Sequence, residues 1–237
     1  MKELINQIAL LKVNGIGPRT MRKLISDFAS TQNLFKATKK DFQQKYQNRG
    51  EKIYRHVQEG KNFISKAATE YEYCKRKNYT IASFYGNNYP NSLRHCSDAP
   101  LILYQSGNID LNENTLLSIV GTRTHSKYGE QVVENVIDSL KNYQVTIVSG
   151  LARGIDYFTH HFCVQNDIPN IAILGHGLDN IYPKYHSEIK EKIKNNGALI
   201  SEFNPMTKPS KYNFPKRNRI IAGISSATLV IESPIRG

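Results

Sequence analysis

Apolar residues recur at helical spacing from the start of the chain, first at Leu4, Ile5, Ile8 and Leu11 and then at Met21, Leu24, Ile25 and Phe28. Positions i, i+3, i+4 and i+7 share one face of a helix, so the spacing predicts two amphipathic helices. Between them runs V-N-G-I-G-P, Val13 to Pro18. Glycine supplies turn conformations closed to other residues, and proline suits the first position of a helix. The unit reads either as a helix-hairpin-helix, whose turn amides grip a nucleic-acid phosphate, or as a plain αα corner. From Asp41 to Lys77 the chain is polar and charged with widely spaced apolar residues. This stretch is expected to be helical and to join a small N-terminal domain, residues 1–62, to a larger one, residues 63–237.

In the larger part the period changes. Short strands are predicted at Tyr79–Ser83 and Leu101–Tyr104 as a lead-in, and from Leu116 strand and helix alternate. Apolar runs at Leu116–Val120, Val145–Val148, Asn170–Leu174, Ala198–Ser201 and Ala227–Ile231 are separated by helical patterns at Tyr128–Lys141, Ile155–Asn166, Tyr185–Asn195 and Arg217–Ile224. Such alternation demands crossover connections, hence a parallel sheet covered by helices on both faces. The predicted class is α/β, an extended Rossmann-like, mostly parallel sheet preceded by a small all-α domain of helix-hairpin-helix or SAM-like type.

Composition narrows the partner. Hydrophobic residues make up 39% of the 237, enough for a buried core, and the formal net charge is +12, which favours a polyanion over a neutral small molecule. No apolar run reaches membrane-spanning length, no lipidation motif is present, and Glu3, Asn6 and Gln7 interrupt the apolar core a signal peptide needs. A cytoplasmic protein is expected. Cys74, Cys96 and Cys163 are far apart and form neither a zinc ribbon nor a disulfide framework.

Three loops at predicted strand ends combine small residues with arginine: V-G-T-R at Val120–Arg123, S-G-L-A-R-G-I-D at Ser149–Asp156, and F-P-K-R-N-R at Phe214–Arg219. Ligands of open parallel sheets bind outside the carboxyl ends of the strands, so the loops are expected to converge on one positive crevice. Exposed amides and guanidinium forks suit phosphate oxygens. No G-x-G-x-x-G or G-K-[ST] fingerprint is complete, so separate positive contacts point to a chain of phosphates rather than one pyrophosphate. The absence of acidic residues between Glu202 and Glu232 predicts an uninterrupted positive field there. Asp156 and His160 lie at i and i+4, but no third ligand is spaced to complete a metal site. The expected arrangement has Asp156 accepting from first-turn amides and pairing with Arg153, with His160 packed or hydrogen-bonded; no cofactor is expected.

Several motifs in fixed order carry a resemblance. V-G-T-R-x-x-S-x-Y-G at Val120–Gly129, S-G-L-A-R-G-I-D-x-x-x-H at Ser149–His160, L-G-x-G-L-D-x-I-Y-P at Leu174–Pro183, G-A-L-I-S-E-F at Gly197–Phe203 and an N-F-P-x-R-N-R-I-I-A-G-L-S-like sequence at Asn213–Ser225 together resemble the DNA-processing protein A (DprA/Smf) family. The resemblance covers about Tyr89 to Glu232. It implies a non-catalytic single-stranded-DNA-binding mediator that protects incoming DNA in natural transformation or recombination, loads the RecA recombinase and forms a homodimer. It also implies contacts from Gly121, Thr122 and Arg123, from Ser149, Gly150 and Arg153, and from Lys184, Lys211, Arg217, Asn218 and Arg219, with Phe214 stacking on a base. The family pattern continues beyond E-S-P-I-R-G, Glu232–Gly237, with a glycine- and serine-rich loop and further strands, so the resemblance is to a C-terminally shortened member whose sheet lacks its last elements.

Two other readings compete. One is a phosphoribohydrolase-like enzyme of a related Rossmann family; its P-G-G-x-G-T-x-x-E signature has no match, leaving Glu202 and Glu232 as the strand-end carboxylates. The other is a duplex-DNA repair module led by the Gly15–Pro18 hairpin.

Overall fold

The structure, a computed structural model, describes residues 1–113 and 115–233. The last four residues of E-S-P-I-R-G lie outside them. The chain forms two compact units, residues 1–78 with 97–102 and residues 79–96 with 103–237.

The first unit is helical: α1 (Lys2–Leu11), α2 (Pro18–Asp27), α3 (Thr31–Lys36), α4 (Lys39–Tyr46), α5 (Gly50–Lys61) and α6 (Ile64–Arg76). The spaced apolar residues of each helix meet in one core that includes Ile8, Leu10, Leu24, Leu34, Phe42, Val57 and Ala67, all buried. Side chains stop and start the chain between them. Ser30 accepts from the Asn33 amide at 3.0 Å, and Thr38 and Asp41 cap the start of α4 reciprocally, a device commonly worth about 1 kcal/mol. The stretch from Asp41 to Lys77, read from sequence as a connector, is therefore part of the helical unit: Phe42, Val57, Ala67 and Cys74 are its inward anchors. In the turn before α2, Gly15 takes φ +82° with the His56 ring of α5 packed against it, and Pro18 opens the helix.

The second unit is the predicted α/β sheet. Seven strands, β1 (Thr80–Ser83), β2 (Ile102–Ser106), β3 (Thr115–Gly121), β4 (Val145–Ser149), β5 (Asn170–Ile173), β6 (Gly197–Ser201) and β7 (Ala227–Ile231), lie in the order β1-β2-β6-β5-β4-β3-β7. Strands β3 to β7 are parallel, and β2 pairs antiparallel with β6 through Tyr104 and Ser201. Strands β4, β5 and β6 are buried along their whole length, which is why they read as unbroken apolar runs. The short α7 (Asn91–Arg94) precedes β2 in the chain.

Topology places the crevice. From β3 the chain winds through α8 (Lys127–Leu140), β4, α9 (Ile155–Gln165), β5, α10 (Ser187–Ile193) and β6 in one direction across the sheet, then returns through α11 (Asn213–Ile224) to put β7 beside β3. Right-handed crossovers put α8, α9 and α10 on one face and the reversed α11 on the other. Four loops therefore gather at the carboxyl end of the sheet, where such a reversal opens a crevice. Ile119, Val133, Ile137, Ile147, Ile155 and Cys163 form the core beneath one face.

Candidate nucleic-acid interface

The loops at the carboxyl ends of β3, β4, β5 and β6 enclose a cleft of about 560 Å³. Arg123 and Thr124 line it from the first loop, Gly150 to Arg153 from the second, His176, Tyr182 and Pro183 from the third, and Lys211 and Phe214 from the fourth and the start of α11. Arg123, Arg153 and Lys211 are exposed, and no Asp or Glu is among the described residues that line the cleft. The result is a positive trough without an opposing carboxylate, suited to anions with several oxygens.

Close backbone packing shapes it. Gly154 takes φ +77°, and a Cβ there would lie 2.2 Å from the Thr122 carbonyl oxygen. Only glycine lets the loop after β3 cross the start of α9 and present Arg123 to the loop carrying Arg153. Leu151, at φ +54°, also holds a left-handed conformation, unusual for a branched side chain and sustained only where the surroundings enforce it. Its carbonyl is held by the buried His186 ring at 3.1 Å, which stacks on Tyr157. The Arg153 guanidinium lies over the Tyr185 ring, 5.7 Å from its centre. Phe214 is half-buried against Gly175, with the exposed ring of Tyr182 centred 5.4 Å away. That pair offers an apolar platform beside the cations.

Other expected contacts lie elsewhere. Gly121, Thr122, Arg217 and Asn218, with the Asp156 and Glu232 carboxylates, line an adjoining hollow of about 370 Å³ that shares Arg123 with the main cleft. The Ser149 side chain is buried and donates its hydroxyl to the Ile119 carbonyl at 2.6 Å, so it locks β4 to β3 instead of facing the trough. Lys184 is exposed on a 3₁₀ turn outside the residues lining either space. Arg219 pairs with Glu202 at 2.6 Å and Lys216 lies 3.7 Å from the same carboxylate. The uninterrupted positive field read from sequence is thus broken by Glu202 folding back over it. The basic loop read at Phe214–Arg219 is helical from its start: α11 begins at Asn213, four residues before the helix predicted at Arg217.

Arg217 is the largest departure. It is 3% exposed and points beneath the cleft, donating to the Gly150 carbonyl at 2.6 Å and to the Ile173 carbonyl. Its acidic neighbour is Asp156: both are buried and interact electrostatically, where the sequence reading placed Asp156 with Arg153. Burial pushes the Asp156 carboxyl up and the guanidinium opposes it. Burial also pushes Arg217 down to about 10, with Asp156 acting the other way, which leaves it cationic at neutral pH. Carbonyls at the ends of β4 and β5 would otherwise project negative dipoles towards an anion; Arg217 covers two of them from below.

His160 is buried with Nδ1 2.8 Å from the Asn170 side-chain oxygen, and burial pushes its pKa down to about 4. It packs and hydrogen-bonds while Asp156 serves Arg217, so the two do not share a ligand. Among the described residues no group of three His, Cys, Asp or Glu is placed to hold a metal, and no described helix is long and apolar enough to cross a membrane. Tyr182 was not singled out from sequence; its signal was an aromatic directly before a proline in a strand-end loop.

An α/β sheet with a cationic, carboxylate-free trough at its switch point defines a Rossmann-like protein with a cleft suited to an anion. The particular family follows from comparison with known proteins. The profile of the family described as DNA recombination-mediator protein A matches residues 80–237, and the chain belongs to that family. It is 43% identical over 148 residues to DNA processing protein DprA of Streptococcus pneumoniae, covering 62% of this chain and 52% of that one. It is 33% identical over 231 residues to protein Smf of Synechocystis, covering 96% of this chain and 58% of that one. The chain thus spans a little over half the length of these relatives. The crystal structure of the Streptococcus pneumoniae protein superposes with TM-score 0.83 at 31% identity, over 100% of this chain and 81% of that one. DNA processing protein A from Helicobacter pylori, whose structure is described for a single-stranded-DNA binding mode, superposes with TM-score 0.60 at 27% identity over 67% of this chain and 71% of that one.

Proposed function

We propose that the chain binds single-stranded DNA in the cleft around Arg123 and acts as a non-catalytic recombination mediator. The observation that carries the reading is three exposed cations, Arg123, Arg153 and Lys211, facing one carboxylate-free cleft beside the half-buried Phe214. Cations tracking a backbone next to an aromatic ring are the general means of holding a strand without reading its sequence. Separate cations also fit a flexible chain better than a stiff duplex. Family membership supports the same reading, and extends it to loading of RecA, action as a homodimer and a cytoplasmic setting. The enzyme reading loses support because both candidate carboxylates are engaged: Glu202 holds Arg219, and Glu232 accepts from the Ser126 amide at 2.9 Å.

The test is fluorescence anisotropy with single- and double-stranded oligonucleotides over a salt series. Contact with about four phosphates predicts a log–log salt slope near −3 for a single strand, and Arg123→Ala flattens it by about 0.7. Preference for duplex, or indifference to Arg123→Ala, rejects the reading.

A further inference from the structure

The positive charge of this chain is not where the cleft is. The helical unit, residues 1–78 and 97–102, carries 17 Lys and Arg against 8 Asp and Glu, a net of +9. The sheet-bearing unit carries 15 against 12, a net of +3. Charge kept only for solubility has no reason to concentrate in the smaller unit, whereas a polyanion-binding face does.

Within the helical unit the excess gathers from the end of α3 to α5. Between Lys36 and Arg55 the seven cations Lys36, Lys39, Lys40, Lys45, Arg49, Lys52 and Arg55 stand against two acids, Asp41 and Glu51. Both acids are committed: Asp41 accepts from the Thr38 amide and hydroxyl, each at 2.8 Å, and Glu51 pairs with Lys39 at 2.9 Å. The surface here is concave. A hollow of about 560 Å³ opens between the end of α2, α3 and α4, lined by Lys36, Lys45 and Asp41 with Asn33 and Gln44 beside them. Lys45 lies over the Phe28 ring at 5.4 Å from its centre, which holds one cation in place.

We propose that this hollow and the cations around it form a second phosphate-binding surface for a nucleic-acid strand, distinct from both the Arg123 cleft and the Gly15 turn. Polynucleotide is the partner because the cations are spread along three elements, as phosphates are along a chain, and because amide donors accompany them. The choice of nucleic acid rests on the proposed DNA-binding function; the charge segregation does not. The hairpin turn is a poorer candidate, since the His56 ring covers Gly15 and its Nδ1 lies 3.1 Å from the Asn14 carbonyl oxygen, which accepts.

The experiment compares Lys36→Gln/Lys45→Gln with a charge-matched control, Lys66→Gln/Lys75→Gln on α6, in the full chain. Probes are labelled oligothymidines of about 6 and about 40 nucleotides, the short one no longer than a single binding groove engages. The expected result is a slope flattened by about 1.4 for the long probe with the hollow variant, no change for the short probe, and no comparable change for the control. An unchanged long-probe slope, or equal effects from the control, overturns the proposal, the latter by showing a diffuse field. Arg123→Ala run alongside separates the two claims: it must weaken the short probe, and its failure to do so sinks the cleft reading without touching the hollow.

Discussion

Replacing Arg217 by methionine separates a buried structural role from a DNA contact. The guanidinium is 3% exposed and Asp156 is 6% exposed, and the substitution leaves that carboxylate buried beside two strand-end carbonyls that lose their donor. Removing a buried cation that offsets a buried carboxylate costs about 3 to 5 kcal/mol. For a chain of this length each kcal/mol moves the melting temperature by about 2 to 4 °C, so the expected fall is about 6 to 20 °C in a thermal melt followed by circular dichroism at neutral pH. Adding Asp156→Asn removes the orphaned charge and recovers part of the loss, with a coupling energy of about 1 to 3 kcal/mol. At a temperature where the variant is folded its salt slope on single-stranded DNA matches the parent, because no phosphate contact has gone. A variant that melts like the parent but loses about 0.7 of slope refutes this reasoning.

Three further outcomes are expected. His160 is held neutral, its pKa pushed down to about 4 by burial, so the unfolded chain binds the extra proton first. Stability is therefore complete above its unfolded pKa near 6.5 and falls by up to about 1.4 kcal/mol per pH unit between there and about 4. His176 and His186 are shifted in the same direction by burial, and His160→Asn should shallow the slope measured by denaturant titration at a series of pH values. Phe214→Ala should cost about 1 to 3 kcal/mol of affinity, equally for thymine and adenine strands, with the salt slope intact; base-dependent loss argues against stacking. Ser126 accepts from the Gly129 amide at 3.0 Å at the start of α8, and Ser126→Ala should lower stability by about 1 kcal/mol in urea unfolding.

How far the sequence could be read depended on what each residue had to hide. Strands β4, β5 and β6 are covered on both faces and left unbroken apolar runs that no other element explains. The helices of residues 41–77 were visible as helices, but each sends only one or two anchors such as Phe42 and Val57 inward, too few to reveal that they pack with α1. Pro215 suggested a loop, although proline is at home in the first turn of a helix. Arg217 was readable and was missed. It stands at the first position of the stripe 217, 220, 221, 224, whose other members Ile220, Ile221 and Ile224 are buried, so the helical period already placed it on the inward face. Arg219 falls off that stripe, and only coordinates could show Glu202 turning to meet it. Partners that close across a fold from distant positions leave no local pattern.

The net charge belongs mostly to the helical unit. A value of +12 invited assignment to the arginine-rich loops, yet the unit that bears them is nearly balanced and its cleft relies on three cations, close backbone and a ring. Such a site gains its specificity for a flexible strand from shape and stacking, terms that salt screens little. The helical unit has charge in abundance around a hollow walled by lysines, which suits rapid, sequence-blind capture that salt screens strongly. If the two units divide the work this way, the log–log salt slope for long strands should be steeper than that for short ones. Parallel salt lines for the two lengths would mean that the helical charge does not meet DNA at all.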